Sequence, residues 1–470
     1  MKIFGNAAKD LTIHFVGVGG IGMSGLAEVL AASGAKVSGS DGGSKGDFAR
    51  LEKAGVKVFH AHVAGNVPEN AIVAVSTAIP ADNPELVQAK KAGLKVVHRA
   101  EVLAEIMTNY QTVAVSGTHG KTSTTALIYT ALKAGGIKVG VINGGVLNAL
   151  GTNAVLPPMR DGWLVVEADE SDASFLKLKP TIAVITNIEP EHMDTYGTED
   201  KLVEAFVKFA DSAEVAVICT DDPNGLIVSA QTSSDVFSYG MEEGADAYTG
   251  SFSPTKAGGK LPNGGMGMAF DASIRGGVLE DVVVALPGTH YVLNSLAALA
   301  VASVVKADMV KAAEGLAEFQ GVGRRFTKVG EFHGADIIDD YGHHPTEIAA
   351  TLEAAKLAYT GKVVAIIQPH RYTRLRDLMD EFATSAKVAD AVILLPVYSA
   401  GEPPIEGVTH EELGRRMEEA GLPEEIHVVN DEHVLPKVLH HLHVGPGDVV
   451  MCLGAGTITE FAKHLAHHHH

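Results

Sequence analysis

The sequence predicts an α/β protein of three domains, and three observations predict it. Strand-length apolar runs alternate with helical stretches along the chain, the rhythm of parallel sheets covered by helices. A glycine-rich turn follows the first strand candidate and a Gly-Lys-Thr turn follows a later one, so two strand-helix units carry phosphate cradles. The length of 470 residues exceeds the ~250–300 that one hydrophobic core supports. The expected order is a Rossmann-like N-terminal domain (1–108), a central α/β domain with a P-loop (109–322) and a Rossmann-like C-terminal domain (323–466). Residues 467–470, all His, are read as a tag remnant and set aside.

In the first domain, strand candidates 11–16, 36–40, 71–76 and 95–98 alternate with helical stretches such as 24–32 and 84–92. Gly17-Val18-Gly19-Gly20-Ile21-Gly22 satisfies G-x-G-x-x-G between a strand and a helix, and Asp41 ends the second strand 19 residues after Gly22. This pattern places a diphosphate on a helix N-terminus and a carboxylate on a ribose or base. It specifies a diphosphate joined to a nucleoside, and NAD and a UDP-sugar both satisfy it. The plainer reading of the same residues is a structural glycine turn.

The second domain opens with the strand candidate 112–116, followed by Gly117-Thr118-His119-Gly120-Lys121-Thr122-Ser123 at the head of a helix candidate, 123–132. Backbone N–H groups of such a turn face an anion, Lys121 neutralises the outer phosphates, and the Thr122 hydroxyl can hold Mg²⁺. The spacing is two residues shorter than the common P-loop. Buried strands are expected at 163–167, 182–188 and 215–220, loops or short antiparallel ribbons across 248–270, and a helix over 290–305. The run Glu167-Ala168-Asp169-Glu170-Ser171-Asp172 closes one of these strands, where Mg²⁺-bearing carboxylates belong beside a P-loop. Glu167 is the metal candidate, while Glu170 and Asp172 fit a solvated acidic loop. His192 lies in a second polar cluster, 186–194, and its spacing suits a surface histidine as well as a ligand, since Mg²⁺ prefers oxygen.

The third domain repeats the rhythm with strand candidates 336–341, 362–368, 391–398, 426–429 and 449–453. In Gln368-Pro369-His370-Arg371-Tyr372-Thr373-Arg374, a strand ends at a proline and a helix begins. Arg371 and Arg374 are expected on one helical face, where two guanidinium forks suit a carboxylate or phosphate. Asp339-Asp340-Tyr341-Gly342-His343 ends another strand and offers acceptors for an amine. Arg324 and Arg325 stand at the join of the second and third domains.

Composition sets outer limits. Hydrophobic residues make up 46% and charged residues 20%, as in a globular protein. The net charge of −20 argues against nucleic acid or an anionic membrane as the main partner, so anionic substrates must be met by local clusters of Lys, Arg and backbone N–H. Cys219 and Cys452 form no disulfide framework and fit the reducing cytoplasm. No signal peptide is expected, and the longest apolar stretch, 293–305, is too short to span a bilayer.

Taken jointly, these motifs resemble the Mur ligases, ATP-dependent enzymes that build the peptide of bacterial peptidoglycan precursors. The resemblance covers residues 8–460. It is carried by the P-loop, by Glu167–Asp172, by Asn187-Ile188-Glu189-Pro190-Glu191-His192-Met193-Asp194, by Gly321-Val322-Gly323-Arg324-Arg325-Phe326 and by Asp339–Pro345. The short P-loop is that family's usual form. The glycine loop through Gly25, together with Gln368–Arg374, is similar to the branch that adds the first amino acid. The resemblance implies that UDP-N-acetylmuramate, ATP and L-alanine are the partners and that the enzyme is a monomer or homodimer. It implies two Mg²⁺ ions, replaceable by Mn²⁺, with Thr122 and Glu167 on one and His192 on the other. Lys121, Glu167 and His192 are then the catalytic set. Gly117, Thr118, His119, Gly120, Lys121, Thr122, Ser123, Asn294 and Arg325 bind ATP. Gly17, Gly19, Gly20, Gly22 and Asp41 bind the UDP-sugar, and Tyr341, His343, Arg371 and Arg374 bind the amino acid. One departure stands out: Gly288-Thr289-His290 is followed by Tyr291 where the family usually has Asn, which bears on the ATP-base contact. Three alternatives stay open. They are a relative that attaches a recycled peptide to the same nucleotide, a nicotinamide-dependent oxidoreductase that leaves the second cradle idle, and a nucleotide-binding regulator without turnover.

Overall fold

A computed structural model describes residues 1–43, 46–256, 261–262 and 265–467. Tag positions 468–470, and positions 257–260 and 263–264 of the expected loop region, lie outside the described residues. The chain forms two compact units, Met1–Gly250 with Asp271–Val282 and Leu293–Leu316, and Ser251–Phe270 with Val283–Val292 and Ala317–His470. They carry three large sheets. No helix among the described residues is long and apolar enough to cross a membrane.

The first unit holds two of these large sheets. One is five-stranded and fully parallel, in the order Lys57–Phe59, Lys36–Ser40, Thr12–Val16, Ile72–Val75, Val96–His98. The first strand in sequence lies in the middle, with its successors on one side and then on the other. That reversal opens a crevice at the strand's C-terminal end, and the glycine loop lies there. The helix after the loop starts at Ile21, three residues before the expected 24, because Gly20 adopts an extended N-cap conformation inside the motif. The helix Arg99–Met107 goes unpredicted because its cap is His98, an unusual capping residue, whose side chain and Glu101 close a capping box.

The second sheet of this unit runs Thr152–Val155, Val139–Leu147, Trp163–Glu167, Gln111–Ser116, Ile182–Ile185, Val215–Cys219, Asp235–Gly240, Ala247–Tyr248. From Val139–Leu147 to Ala247–Tyr248 its strands are parallel, with antiparallel partners at both ends, Thr152–Val155 and Met266–Ile274. The P-loop strand again sits where the order reverses. Val139–Leu147 escapes a propensity reading because Asn143, Gly144 and Gly145 interrupt it, yet the sheet pairs it on both sides. Part of the expected 248–270 loop region is an antiparallel pair, Phe252–Lys256 with Met266–Phe270.

The second unit carries a six-stranded sheet, Thr327–Phe332, Ala335–Asp340, Val449–Leu453, Val363–Ile367, Ala391–Leu394, Glu425–Val428, parallel but for the first pair. Its central strands are buried Val, Ile and Leu on both faces, as a helix-covered parallel sheet demands.

Gly39 shows how closely the first sheet meets its loop. A Cβ there would stand 2.5 Å from Val18 Cβ and 2.7 and 2.8 Å from its methyls. Val18 is fully buried. Overpacking of this kind costs ~1–3 kcal/mol. Gly39→Ala is therefore expected to lower the urea midpoint without changing the slope, measured by equilibrium denaturation.

Candidate active site

In the glycine loop, the Gly17 and Val18 amides donate to Ser40 O at 2.8 and 2.9 Å. Gly17 has φ 85°, which suits glycine. The Gly19 amide donates to Asp41 Oδ2 at 2.9 Å, and Asp41 Oδ1 accepts from the Gly43 amide at 2.8 Å. Gly17, Gly19, Gly20 and Gly22 thus share one turn at the end of the first strand, and Asp41, just after the neighbouring strand, reaches it through the Gly19 amide. A Cβ at Gly19 would stand 2.7 Å from Asp41 Oδ2, and one at Gly22 would stand 3.4 Å from Arg99 Nη1.

The P-loop needs glycine twice, at Gly117 (φ 141°) and Gly120 (φ 81°). A Cβ on Gly117 would collide with Thr186 Oγ1. The loop is fastened to the end of the neighbouring strand. The Thr118 amide donates to Asn187 O at 2.9 Å and the His119 amide to Asn187 Oδ1 at 2.8 Å. Thr118 Oγ1 accepts from the Glu189 amide at 2.8 Å. Lys121 Nζ donates to Gly117 O at 2.6 Å and to Glu170 Oε1 at 3.0 Å. Burial pulls the Lys121 pKa down, but Glu170, Glu167 and Asp169 hold it above its ordinary value. Asn294 also lies here: its Oδ1 would be 3.4 Å from a Cβ on Gly120.

Thr122 Oγ1 donates to Glu167 Oε2 at 2.9 Å, and the same oxygen accepts from the Gly144 amide at 2.7 Å. A Cβ on Gly144 would stand 2.7 Å from Glu167 Cδ, so glycine there makes room for the carboxylate. Two hard oxygen donors side by side, from a P-loop threonine and a strand-end glutamate, fit a magnesium ion. His192, at φ 60°, points Nε2 to Glu170 Oε1 at 3.4 Å. An imidazole beside a carboxylate suits a divalent ion that tolerates nitrogen, such as Mn²⁺. Burial lowers the His192 pKa, but the Glu170 hydrogen bond and charge raise it overall.

Glu170 is not solvated, contrary to expectation, while Asp172 is partly exposed but paired. Glu170 is only 1% exposed, the shared partner of Lys121 and His192. Asp172 accepts from Thr77 Oγ1 at 2.5 Å and lies 3.3 Å from His98 Nε2. Asp169 pairs with Arg99 Nη2 at 2.5 Å. Arg99, missed in the sequence because helix-start arginines are commonplace, therefore stands between the glycine loop and the acidic run.

In the second unit, Arg371 and Arg374 do not share a helical face. Arg371 is the N-cap of the short helix Tyr372–Asp377, with φ 72°, and its amide donates to Tyr398 O at 2.8 Å. The proline-led turn holds it outside the helix. Arg374 Nη1 donates to His370 O at 3.1 Å. Tyr341 and His343 meet edge to face at 5.2 Å, His343 and His370 lie 5.7 Å apart, and His370 stacks on Tyr398 at 5.4 Å. Tyr341, His343, Arg374 and the unpredicted His370 and Tyr398 thus form one cluster, and exposed Arg371 adjoins it through Tyr398. His370 could have been singled out from its place inside the quoted motif. The Arg324 and Arg325 guanidiniums lie 4.9 and 5.1 Å from the Tyr341 ring. Tyr291 is 3% exposed, a core residue beside His290.

Comparison with known proteins matches three family models end to end. These are a Mur ligase family catalytic domain over residues 12–111, a Mur ligase middle domain over 115–302 and a Mur ligase glutamate ligase domain over 324–456. A protein of Methylobacterium sp. (strain 4-46), called UDP-N-acetylmuramate–L-alanine ligase, is 45% identical, with 96% of each chain covered. One of the same name from Mesorhizobium japonicum is 45% identical, covering 96% of this chain and 97% of that one. A crystal structure of a UDP-N-acetylmuramate–alanine ligase from Thermotoga maritima superposes with a TM-score of 0.82 at 27% identity, covering 97% of this chain and 98% of that chain. A murein peptide ligase from Psychrobacter arcticus shares the fold at 23% identity and TM-score 0.68, covering 97% and 98%.

The half-buried imidazole of His290 is expected to make the protein acid-sensitive. Burial first, and Arg325 second, push its pKa from 6.5 to about 4. Between those values the unfolded chain binds the proton and the folded chain does not, so stability falls as pH drops through that window. The full difference is about 3 kcal/mol at ~1.4 kcal/mol per pKa unit. Burial raises Asp339 and Asp340, which acts in the opposite direction. The difference between wild type and His290→Gln therefore isolates the imidazole: the variant is expected to lose less stability between pH 6.5 and 4, followed by thermal unfolding across pH.

Proposed function

The chain belongs to the Mur ligase family, and from that premise we propose that it is the ATP-dependent ligase that joins L-alanine to UDP-N-acetylmuramate in peptidoglycan precursor synthesis. The observation that carries this reading is the 45% identity, over 96% of the chain, to relatives bearing that name. ATP is the driving substrate. The peptide-recycling alternative is not favoured, because its solved relative supports only the fold. An oxidoreductase would leave the second cradle without a task.

In this reading residues 1–108 hold the UDP-sugar, 109–322 the ATP, and 323–466 the amino acid, in a cytoplasmic enzyme. The lactyl carboxylate attacks the γ-phosphate of ATP, releasing ADP and forming an acyl phosphate. The alanine amine then attacks the acyl carbon, and phosphate leaves from the tetrahedral intermediate. Lys121, set by Gly117 O and Glu170, offsets the charge of the transferring group. The loop amides of residues 117–123 face the phosphates, and Asn294 and Arg325 serve the rest of ATP. Thr122 and Glu167 are the residues that would hold one Mg²⁺, and His192 a second. Such ions neutralise charge on the phosphate oxygens. Arg371 and Arg374 are the grip for the alanine carboxylate, while Tyr341 and His343 orient the amine.

Lys121→Ala is expected to remove nearly all turnover with the fold intact, since one electrostatic stabiliser of this kind contributes roughly 10²–10³ in rate. Phosphate release by the purified variant checks it, and retention of more than about a tenth of wild-type turnover would exclude the assigned role.

The amino-acid assignment is tested by phosphate release that requires both UDP-N-acetylmuramate and an amino acid. Glycine and serine are expected to be slow substrates, because small pockets discriminate by only about 10–200-fold. Alaninamide is expected to be worse than either. Arg371→Ala and Arg374→Ala should each cut alanine efficiency about ten- to a hundredfold, the scale of one charged hydrogen bond. Wild-type alanine efficiency in both variants would dismiss the clamp.

A further inference from the structure

Beyond the two cradles, the first unit holds a second cluster of titratable groups that the chemistry above does not use. Glu85, on the helix Pro84–Lys91, and His14, on the strand Thr12–Val16, are both fully buried. Glu85 Oε1 lies 2.6 Å from His14 Nε2. Glu85 Oε2 accepts from the Ser40 hydroxyl and lies 2.8 Å from His62 Nδ1. His14 Nδ1 is 2.8 Å from Ser38 Oγ. The three hydrogen bonds hold the Glu85 carboxyl below its ordinary pKa although burial opposes them.

An ionised Glu85 can only accept, and this assigns the protons. His14 donates from Nε2 to Glu85, and its Nδ1 lies against the Ser38 hydroxyl. His62 donates from Nδ1, so in the neutral ring the lone pair is on Nε2. His62 is the member of the cluster that reaches the surface, with a side chain 27% exposed against 0% for Glu85. Its outer edge lies beside the glycine loop's support: a Cβ on Gly42 would be 3.7 Å from His62 Cδ2 and 3.9 Å from Nε2. Next to Gly42, Asp41 caps the Gly19 amide, and Ser40 O holds Gly17 and Val18. This is the C-terminal edge of a parallel sheet at its reversal point, where nucleosides bind.

We infer that Glu85 is a positioning residue for the sugar-nucleotide site, fixing His62 with Nδ1–H inward and Nε2 presented to the nucleoside as an acceptor. An acceptor there pairs with the imide N–H of uracil and not with the bare ring nitrogen of cytosine, so the Glu85–His62 pair selects uridine over cytidine diphosphates. The inference rests on the reading that the first domain binds a nucleoside-diphosphate sugar.

Calorimetry on the full chain with UDP, CDP, UDP-N-acetylmuramate and, separately, ATP tests it. Glu85→Gln is expected to weaken UDP about tenfold, the scale of one hydrogen bond, to shrink the preference for UDP over CDP, and to leave ATP affinity unchanged. His62→Asn keeps a donor near Nδ1 and loses Nε2, and is expected to match it. The double variant should be no weaker than either single one, because both act through one imidazole. Wild-type UDP affinity in either variant, multiplying losses in the double variant, or equal loss of ATP affinity overturns the inference. If Glu85→Gln does not fold, a retained UDP-over-CDP preference in His62→Asn overturns it alone. Loss of the ligase reading is a different result, namely wild-type protein that binds UDP yet releases no phosphate with UDP-N-acetylmuramate, ATP and alanine.

Discussion

Placing the Lys121 ammonium largely out of water is costly unless opposite charge and hydrogen-bond acceptors surround it, and much of the first unit follows from that requirement. Glu170 supplies the charge at 2.9 Å, and Gly117 O and Thr118 O supply acceptors. The loop that carries the lysine must then stay fixed relative to the strand that carries the glutamate. The sheet secures this through parallel register, with Glu167 opposite Val115 on one side of the P-loop strand and Ile185 opposite Ser116 on the other. Gly117 lets the loop approach the 186–187 backbone closely enough for Asn187 to tie it down.

The acidic run divides its labour by alternation. Glu167 and Glu170 face the P-loop through Thr122 and Lys121. Asp169 and Asp172 face the first sheet's elements through Arg99, Thr77 and His98. The same loop therefore sets the lysine's environment and grips the neighbouring sheet's residues. Arg99 also lies against the first turn of the glycine-loop helix, within 3.4 Å of where a Gly22 side chain would begin. Arg99 thus joins the acidic run, by a charge-assisted bond of the shorter and stronger kind, to the helix that follows the glycine loop.

The second unit uses rings where the first uses carboxylates. His370 is flanked by Tyr398 and His343 and faces Arg374, and burial first, with His343, Arg374 and Arg371 adding to it, pushes its pKa down to about 3. It stays neutral at working pH, so it adds no charge beside the arginines. Glu402 accepts from both the Thr373 amide and hydroxyl, at 3.0 and 2.7 Å, and so anchors the start of the short helix that follows Arg371.

Much of this was legible in the residues. The two glycine signatures, the Val- and Ile-rich strands and the strand-end polar clusters follow from local rules, because turn chemistry and strand patterning act over a few neighbours. Those rules placed Lys121, Thr122, Glu167 and the Gly17–Gly22 motif without coordinates. They failed where partners are distant in sequence. Nothing local shows that Glu170 faces Lys121, that Asp172 reaches Thr77, that Glu85 joins two histidines, or that Arg371 leaves its helix at φ 72°. Whether an acidic side chain is solvated or buried against a cation is decided by which strand ends the sheet brings together. The sequence determined which chemical groups each loop offers; the tertiary structure decided which of them meet, because burial and long-range pairing exist only once the chain is folded.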